Sequence, residues 1–562
     1  MEKDKRVLIA FVLSFGILLF WGALFKSPAP PPAKQTRPAP TQGTPAQPPA
    51  PAKPSEPVPL PVEQGSKAEE IVVEGDVYRV TFSTEGAVVK SWVLKKYRDA
   101  KGDPLDVVNR AACEKLGFPM TVSVGDSALT SKLNSVLYVA SPSGASLTAP
   151  VKMDFTYSDG AIRARKQFSF GPGYEVHVEV SVFDGQRYLP VEVTWPGGFG
   201  DHSLPPGMKD AVSRAVYSTQ EKIEAVDQKK VNEDRLIPGP LELAGLEDRY
   251  FVDIFLPDSP DEGFRIGRRA WSPPDWKGKE EDKPKPLVAM LGSPQPKALG
   301  FRLFVAPKDL DVLRSAKPRL DRLVDFGWFS FVAKPLFLAL RYIYDHWVHN
   351  YGWAIVMLTV IINLAMFPLK LKSIRSAQEM QRIAPLVKSI QDRYKQYKFN
   401  DPRKQRMNQE VMKLYKEHNI NPLGGCLPMV LQLPFLYGFY RVLDQAIELR
   451  HAPWILWIKD LSAPDKFHLF GFPLPILPTV MIITMFVLQK MTPMTTADPA
   501  QQRMMMIMPL IFGIMFYNFA SGLVLYWLTG NIVGIAQQVF INRMMPAPQL
   551  VPVPRKAAVA KE

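Results

Sequence analysis

The sequence predicts a multidomain membrane protein. An N-terminal anchor and a five-span core make a six-span α-helical bundle, and an all-β sandwich domain lies between the first two spans. Three observations lead to this prediction. The last third of the 562-residue chain is rich in apolar stretches of membrane length. Residues 71–325 alternate polar and apolar side chains with a period of two. Most of the excess positive charge lies beside the apolar stretches.

The net charge of +14 fits a membrane protein better than a nucleic-acid-binding protein. Basic loops beside membrane spans stay in the cytoplasm, and this rule accounts for much of the excess. Sequence-specific nucleic acid is therefore not an expected partner. The two cysteines, Cys113 and Cys426, are predicted to lie on opposite sides of the membrane, which excludes a disulfide between them and a cysteine-based zinc site.

Residues 1–27 are predicted to be a transmembrane anchor. Positions 7–25 hold 19 residues without a charge, enough for a helix to cross about 30 Å of hydrocarbon. A cleaved signal peptide is the alternative, but the stretch is longer than a typical signal core and no A-x-A pattern follows it. Lys3, Lys5 and Arg6 place the N-terminus in the cytoplasm, so the chain emerges on the outer side.

Residues 28–61 are a proline-rich linker, and residues 62–327 are predicted to fold as the β-sandwich. The linker composition favours extended conformations. This stretch of the sandwich shows no paired carboxylates, metal-spaced histidines or nucleophile elbow, so no catalytic or metal site is expected. Because sandwiches host many functions, a carbohydrate-binding or catalytic role stays open. The clearest strand has valines at alternate positions, namely Val176, Val178, Val180 and Val182.

Residues 328–349 are predicted to form an amphipathic helix in the outer interface of the bilayer. The stretch is apolar, but Lys334, Arg341 and Asp345 interrupt it, so it falls short of a clean span. A simple connector is the alternative. Several aromatic residues suit the depth of the lipid headgroups, namely Trp328, Tyr342, Tyr344 and Trp347.

Residues 350–542 are predicted to be the membrane core, followed by a cytoplasmic tail at 543–562. The stretch 370–421 carries thirteen basic and five acidic residues, so the charge rule assigns it to the cytoplasm. Asp401 and Pro402 fit the N-cap and first turn of a helix, which predicts a helical hairpin, and Pro385 is expected to kink its first arm. The five core spans are predicted at about 351–369, 427–447, 473–488, 504–520 and 523–541.

The hairpin is predicted to dock anionic partners, such as lipid headgroups or the backbone of ribosomal RNA. A solvated hairpin without a partner is the alternative. The candidate docking residues are basic side chains of the hairpin and of the 490–503 loop, namely Lys388, Arg393, Lys395, Arg403, Lys404, Arg406, Lys490 and Arg503.

Polar residues recur inside the predicted spans, where such groups generally face a bundle interior or a wet cavity. Examples are Thr359, Asn363, Gln432 and Asn531. Methionines are concentrated in two of the later spans. Methionine suits surfaces that accept varied apolar partners, although core packing explains each one equally well. Together these features predict a groove that is polar on one side and apolar on the other.

Three long motifs stand out in the core: NPLGGCLPMVLQLPFLYGFYRVL, then IELRHAPWILWIKDLSAPD, then the segment from MMIMPLIF to SGLVLYWLTGNIVGIAQQ. VAKPLF precedes the second span, and MFPLKLKSIRSAQEMQRIAPLVKSIQDRY follows it. These motifs resemble the YidC-type membrane protein insertases. The resemblance is continuous over about 325–542. It is weaker in the sandwich domain, whose position fits the Gram-negative form of the family with a large periplasmic domain.

The resemblance implies an insertase and chaperone rather than an enzyme, with no cofactor, metal or catalytic residue. It implies a hydrophilic groove that accepts hydrophobic segments of nascent proteins and releases them sideways into the bilayer, alone or with the Sec translocon. The implied partners are nascent membrane proteins, SecYEG and its accessory subunits, the ribosome and membrane lipids. The implied location is the bacterial inner membrane, multi-pass, with both termini cytoplasmic and the large domain periplasmic. The groove residues are Thr359, Asn363, Gln432, Leu433, Pro434 and Tyr526.

One residue departs from the family pattern. Many members carry an arginine in the groove, and Asn363 stands at its place in this sequence. An amide keeps the site polar without a fixed charge, while Lys370 and Lys372 lie further towards the cytoplasm. Arg441, in the next span, is expected to pair with Asp444 three residues on. We therefore hypothesise that hydration of the groove, rather than a fixed cation, is its working property.

Two other functions stay open from the residues alone. A small-solute transporter or channel predicts inverted repeats and charged pairs at the midplane, and neither is clear in this sequence. An envelope carbohydrate-binding protein or enzyme acting through the sandwich domain is the second alternative.

Overall fold

The computed structural model of the chain describes residues 60–203, 213–219, 222–271, 285–327, 329–397, 401–420, 427–469, 472–492 and 499–545. The predicted anchor, nearly all of the proline-rich linker and most of the tail lie outside the described residues, as do Trp328 and Cys426.

Residues 60–327 form a β-rich domain with short helices between some of its strands. The strands are β1 (Val62–Glu63), β2 (Glu70–Glu74), β3 (Tyr78–Ser83), β4 (Val88–Arg98), β5 (Pro104–Asp106), β6 (Thr121–Ser123), β7 (Val139–Ser141), β8 (Ser146–Thr148), β9 (Val151–Asp159), β10 (Arg163–Phe170), β11 (Glu175–Phe183), β12 (Glu192–Trp195), β13 (Arg214–Thr219), β14 (Lys222–Asp227), β15 (Arg235–Ile237), β16 (Leu243–Glu247), β17 (Phe251–Pro257), β18 (Gly263–Arg268), β19 (Leu287–Gly292) and β20 (Leu299–Pro307). The helices are α1 (Arg110–Leu116), α2 (Ser127–Leu133) and α3 (Leu310–Ser315), with 3-10 turns at Gln228–Lys230 and Asp321–Leu323.

The three α-helices described in this domain were not predicted, because helices of six or seven residues leave little mark on a period-two pattern. Each has a local signal at its start. The side chains of Asn109, Asp126 and Asp309 accept hydrogen bonds from backbone N–H groups in the first turns. The domain is therefore β-rich rather than purely β.

The strands form three sheets. The largest has ten strands in the order β1-β9-β10-β11-β20-β17-β16-β13-β14, with β7 paired to β9. The other two follow the orders β15-β18-β19-β12-β6 and β5-β4-β3-β2-β8. Among the described pairings, β2 with β8 is the parallel one. The clearest predicted strand is confirmed as β11, whose four alternating valines are buried.

Aromatic rings fill much of the core of this domain. The ring of Phe82 lies 4.8 Å from Phe168 and 5.4 Å from Phe155, between ring centroids. Trp92 lies 6.4 Å from Trp195. All five side chains are buried. Such pairs add to the hydrophobic stabilisation because ring edges and faces carry opposite partial charges.

Lys166 occupies an inward position of β10, in line with Ala164 and Phe168. Its Nζ donates hydrogen bonds to the carbonyl oxygens of Gly86 (2.6 Å), Met120 (2.7 Å) and Ala87 (3.2 Å). The ammonium lies 5.6 Å from the centroid of the Tyr138 ring. Burial lowers the pKa of Lys166 to about 7, since the charged form loses its hydration.

Residues 329–545 are mainly helical. The helices are α4 (Ser330–Ile343), α5 (Tyr351–Ala365), α6 (Phe367–Arg382), α7 (Ala384–Arg393), α8 (Pro402–Glu417), α9 (Leu427–Gln445), α10 (Ile476–Met491), α11 (Pro499–Phe516) and α12 (Ser521–Met544). A π-helical turn at Tyr344–Val348 follows α4, and a 3-10 turn at Ile447–Leu449 follows α9. The short strands β21 (Phe467–Leu469) and β22 (Phe472–Leu474) pair before α10.

Prolines set several helix boundaries. Pro368 lies in the first turn of α6, where its missing N–H costs no helical hydrogen bond. The helix within the predicted span 351–369 is therefore shorter than expected, because α5 ends just before this proline. Pro385 begins α7 in the same way and breaks the first arm of the hairpin. Asp401 caps α8 by accepting from the N–H of Arg403, as predicted.

Among the described helices, α12 is the one that is long and apolar enough to cross a membrane by itself. The helical stretch Ser330–Val348 and α5 meet the same criterion together but are bent by 115°. The left-handed backbone of His349 (φ 41°) lies at this bend. Helix α10 and the Met504–Phe516 part of α11 are shorter apolar helices.

Helix α12 lies at the centre of the helical region. It packs against α5 and α10 and also contacts α9. Helix α4 packs on α9, and α11 packs on α10. The side chains that α12 presents to α5 and α10 therefore decide whether the contacts between these helices are polar or apolar.

We predict that the Lys166→Met variant removes a pH-dependent part of the stability. The folded-state pKa of about 7 lies below the usual lysine value of 10.5, so between these values the unfolded state binds more protons. Stability of the wild type should rise with pH in this window, by at most about 1.4 kcal/mol per pH unit. The measurement is the unfolding midpoint of the detergent-solubilised chain at pH 7 and pH 9. Lys152→Met, at an exposed position of β9, is the control, and equal pH slopes in both variants would contradict the assignment.

Candidate functional site

Two predicted groove residues lie one turn apart on α5. Thr359 is fully buried, and its Oγ1 donates a 2.6 Å hydrogen bond to the carbonyl of Ile355. Asn363 is half-buried, and its Nδ2 donates a 2.8 Å hydrogen bond to the carbonyl of Thr359. Each side chain therefore donates one hydrogen bond within its own helix, which suits polar groups in apolar surroundings.

Gln537 of α12 connects the backbone of Asn363 to the side chain of Lys370. Its Nε2 donates to the backbone carbonyl of Asn363 at 3.0 Å, and its Oε1 accepts from Nζ of Lys370 at 3.0 Å. Gln537 is buried and Lys370 half-buried. The side chain of Lys370 thus reaches the Asn363 region through one glutamine. We name this set, Thr359, Asn363, Lys370 and Gln537, the polar row.

Sequence reasoning did not select Gln537. The available signal is the adjacent pair Gln537 and Gln538, which follows Thr529 and Asn531 as a further polar site in a largely apolar helix. Both side chains are buried. The amide of Gln538 donates to Oδ1 of Asn542 on the same helix, at 2.8 Å. Which of the two glutamines faces α5 depends on helix packing, which the sequence does not show.

Polar side chains also face α10. Asn531 is buried, and its Nδ2 lies 3.2 Å from Oγ1 of Thr484 and 3.3 Å from the carbonyl of Met481. Oγ1 of Thr484 in turn donates to the Met481 carbonyl at 2.8 Å. Helix α12 therefore carries polar groups towards both of its main neighbours.

Glycines let the helices of this site approach closely. A Cβ on Gly534 would lie 3.0 Å from Cδ2 of Leu488 and 3.5 Å from Nζ of Lys370. A Cβ on Gly530 would lie 4.0 Å from Nδ2 of Asn363. The missing side chain at Gly534 thus lets α12 approach Leu488 of α10 closely, and Lys370 lies at ordinary contact distance from the same position.

The remaining predicted groove residues lie apart from the polar row. Tyr526 is buried and stacks on Phe439 of α9, with ring centroids 4.4 Å apart and an interplanar angle of 15°. On α9, Gln432 and Leu433 are exposed and Pro434 is half-buried. The structure therefore brings Thr359 and Asn363 together, while Tyr526 supports the contact between α9 and α12.

The candidate docking residues of the hairpin and of the 490–503 loop differ in exposure and in ion pairing. Arg393 forms an ion pair with Glu410 at 2.8 Å, and Arg403 forms one with Asp401 at 3.0 Å. Lys404 is half-buried, and the side chain of Arg503 lies outside the described part of the chain. Arg393 and Arg403 are exposed despite these ion pairs, and the other exposed candidates are Lys388, Lys395, Arg406 and Lys490.

The two arms of the hairpin are held together by a small apolar cluster. Met380, Ile383 and Val387 pack with Ile420, and Leu414 and Tyr415 lie against them. The hydroxyl of Tyr394 also donates to Glu410 at 2.6 Å. The exposed cations therefore lie on two helical arms that are packed against each other. Among the described residues, no group of three or more His, Cys, Asp or Glu side chains could hold a metal ion.

Two family models match the chain. Residues 70–339 match the model described as YidC periplasmic domain, and residues 343–548 match the model described as 60Kd inner membrane protein. The first match covers most of the β-rich domain and of α4, and the second covers the polar row and the hairpin.

Curated relatives match over nearly the full chain. A membrane protein insertase YidC of Geotalea uraniireducens is 35% identical, with 97% of this chain and 100% of the relative covered. The one of Syntrophus aciditrophicus is 32% identical, with 96% and 99% covered. Among solved structures, an active YidC insertase is 19% identical and covers 85% of this chain and 94% of its own, with a TM-score of 0.34. YidC from Thermotoga maritima is 15% identical and covers 85% and 99%, with a TM-score of 0.29.

Proposed function

Because the chain belongs to the YidC family of membrane protein insertases, we propose that it accepts apolar segments of nascent membrane proteins in a polar groove and releases them sideways into the bilayer. The chain is an inner membrane protein with a periplasmic domain, and its activity is insertion of membrane proteins rather than enzymatic catalysis. The two other functions open from the residues, a solute transporter and an envelope carbohydrate-binding protein or enzyme, find no support in these relatives.

The polar row is the observation that carries the proposed groove. It places a hydroxyl, two amides and an ammonium at the contact of α5, α6 and α12, within a largely apolar helical region. A charge carried to the bilayer centre costs about 2.5–3.5 kcal/mol on insertion scales. Polar and hydrated groups along the path lower this cost for the polar segment that must cross, and no covalent step is required.

The proposed topology has six spans with both termini in the cytoplasm. The family match supports a periplasmic position for the β-rich domain, which we propose is a sandwich at 62–327. The positive charge of 370–421 supports a cytoplasmic hairpin. The exposed Phe331, Tyr342 and Trp347 support an interfacial position for residues 328–349. The core domain is proposed at 350–542.

We propose the ribosome and the Sec translocon as further partners. The exposed Lys388, Lys395 and Arg406 support the ribosome, because RNA backbone is recognised largely by charge. Anionic lipid headgroups carry similar chemistry and are the second candidate for this surface. The Sec translocon is supported by the family resemblance.

We predict that a photo-crosslinking amino acid at Leu433 or Asn363 captures a stalled nascent membrane protein. Leu433 is 40% exposed on α9 and Asn363 is half-buried, so both can meet a passing segment. Thr359 should give no adduct because it is fully buried. The control is Ile514, 81% exposed on α11. Adducts are measured on gels of purified membranes. Equal yields from Ile514 and Leu433, or none from Leu433, would contradict a groove here.

We predict that Asn363→Leu lowers insertion of a substrate with a charged exported tail by about tenfold, corresponding to about 1.4 kcal/mol. Leucine removes the polar side chain while the backbone bond to Gln537 stays. Asn363→Arg should insert normally, since it keeps the site hydrated. The assay is protease protection of the tail, and Ile361→Leu, at an exposed position of the same helix, is the control. If the leucine variant inserts normally, hydration is not the working property.

We predict that reversing the exposed charges of the hairpin weakens ribosome binding. The triple change Lys388→Glu, Lys395→Glu and Arg406→Glu should lower the affinity and flatten its salt dependence. The measurement is co-sedimentation with ribosomes at two salt concentrations. The same charge change on the β-rich domain, at Lys101, Lys152 and Lys222, is the control. Unchanged ribosome binding with lost binding to anionic vesicles would assign the surface to lipid instead.

A further inference from the structure

An arginine of the periplasmic domain contacts the last turn of α9. Arg249 lies in the turn between β16 and β17, and its Nε donates to the backbone carbonyl of Asp444 at 2.6 Å. Its Nη2 lies 3.3 Å from Oδ1 of Asp444. The Arg249 and Asp444 side chains are 13% and 24% exposed. This contact ties the domain to a helix that carries three of the proposed groove residues.

A second arginine makes the reverse contact just beyond α9. Arg450 follows the 3-10 turn after this helix, and its Nη2 lies 2.5 Å from Oδ2 of Asp201 in the periplasmic domain. Its Nη1 donates to the carbonyl of Arg98 at 2.5 Å. The Arg450 and Asp201 side chains are 7% and 4% exposed. The guanidinium also lies 5.4 Å from the ring of Phe251.

Within the periplasmic domain, hydrogen bonds connect Asp201 to the turn that contains Arg249. Oδ1 of Asp201 accepts from the Ser203 N–H at 3.0 Å and from the Ser203 hydroxyl at 2.6 Å. The backbone N–H of Asp201 donates to Oδ2 of Asp248 at 3.1 Å. Oδ1 of Asp248 accepts from the N–H groups of Tyr250 and Phe251 at 2.7 and 2.6 Å. Asp248 therefore links the position of Asp201 to the turn that presents Arg249.

The charges of the two contacts are reciprocal. The periplasmic domain supplies the cation Arg249 and the anion Asp201, whereas the helical region supplies the anion Asp444 and the cation Arg450. A domain that docked with the two contact points exchanged would place like charges together. Buried ion pairs contribute more to orientation than to net stability, because desolvation offsets their attraction. The arrangement therefore selects one docking orientation.

Fixing one end of helix α9 would also fix the position of the proposed groove residues on it. Its middle packs closely on α4, since a Cβ on Gly438 would lie 3.2 Å from Cγ1 of Val332. Phe439 stacks on Tyr526 of α12. Leu433 lies fewer than two turns from this stack on the same helix. A displacement of the Asp444 end would therefore change how α9 meets α12.

We propose that the pairs Arg249–Asp444 and Arg450–Asp201 form a docking lock, which fixes the periplasmic domain on the end of α9 and thereby holds the groove residues of α9 in place. The docking of the domain is independent of the proposed function, whereas its effect on α9 rests on the proposed groove. The lock assigns the periplasmic domain a positioning role in insertion, exerted through α9 rather than through contact with substrate.

The test measures domain position and insertion in the same full-length variants. Spin labels are placed at Lys152 on the periplasmic domain and at Ile483 on α10, both exposed positions, with Cys113 and Cys426 replaced by alanine. Distances are measured by double electron–electron resonance in lipid nanodiscs. The wild type should give one narrow distribution. Asp201→Asn and Arg450→Gln should each broaden it, and the double variant should be no broader than either single one, because both remove the same contact.

The matched control is Glu192→Gln, which breaks a 2.9 Å ion pair with Arg265 inside the periplasmic domain and should leave the distribution narrow. If the buried-pair variants fail to fold, Arg249→Gln tests the same lock at its more exposed pair and leaves the pair between Asp444 and Arg441 intact. Unchanged distributions in the folded lock variants would overturn the lock.

Insertion by the lock variants should fall roughly fivefold, within the usual range of coupling between distant sites. A broadened distribution with normal insertion would overturn the positioning role while leaving the lock in place. Absence of Leu433 adducts in the wild type would instead count against the groove, and it does not affect the distance measurement.

Discussion

The two hydrogen bonds of Gln537 set the arrangement of the helices around it. Hydrocarbon offers no partner to a polar group, so a buried amide in a membrane helix must meet a donor and an acceptor from the protein. Gln537 meets both, one on α5 and one on α6. Since α6 begins at the break beside Pro368, the direction in which it leaves α5 decides whether Lys370 reaches the glutamine. The proline break and the glutamine thus depend on one another.

The same contact is compatible with two requirements of the proposed insertion groove. Without substrate, its polar groups need partners for the helices to stay packed, and the polar row supplies them within the protein. With substrate, those groups must become available to a polar segment or to water. A hydrogen bond within a protein adds only about 1 kcal/mol net, because the alternative partner is water or another polar group. Exchange of the Asn363 and Gln537 bonds for bonds to a hydrated segment is therefore cheap, whereas exchange for hydrocarbon is not.

Patterns with a short range were predictable from the sequence, and contacts between distant residues were not. The alternating valines predicted β11, and Asp401 with Pro402 predicted the start of α8. Both predictions were possible because each signal lies within the element that it forms. Lys166 breaks the rule that an inward position is apolar, since three carbonyls from other segments meet its ammonium. Asn363 was identified as a misplaced amide, but its link to Lys370 needs a glutamine 174 residues further along the chain. Arg441 pairs with Asp444 as expected, at 3.6 Å.

The ion pair between the periplasmic domain and the helical region could not be predicted from the sequence either, for a further reason. Arg450 and Asp201 are 249 residues apart, and each looks like an ordinary surface charge in its own segment. Apolar side chains of similar volume would often stabilise such a contact more, because they avoid the cost of desolvating two ions. Apolar surfaces, however, accept a range of sliding positions, while a reciprocal set of charges accepts one. A domain with the proposed role, which is to hold one end of the proposed groove helix, needs a fixed position more than it needs affinity. This is the condition under which a buried ion pair is the better solution.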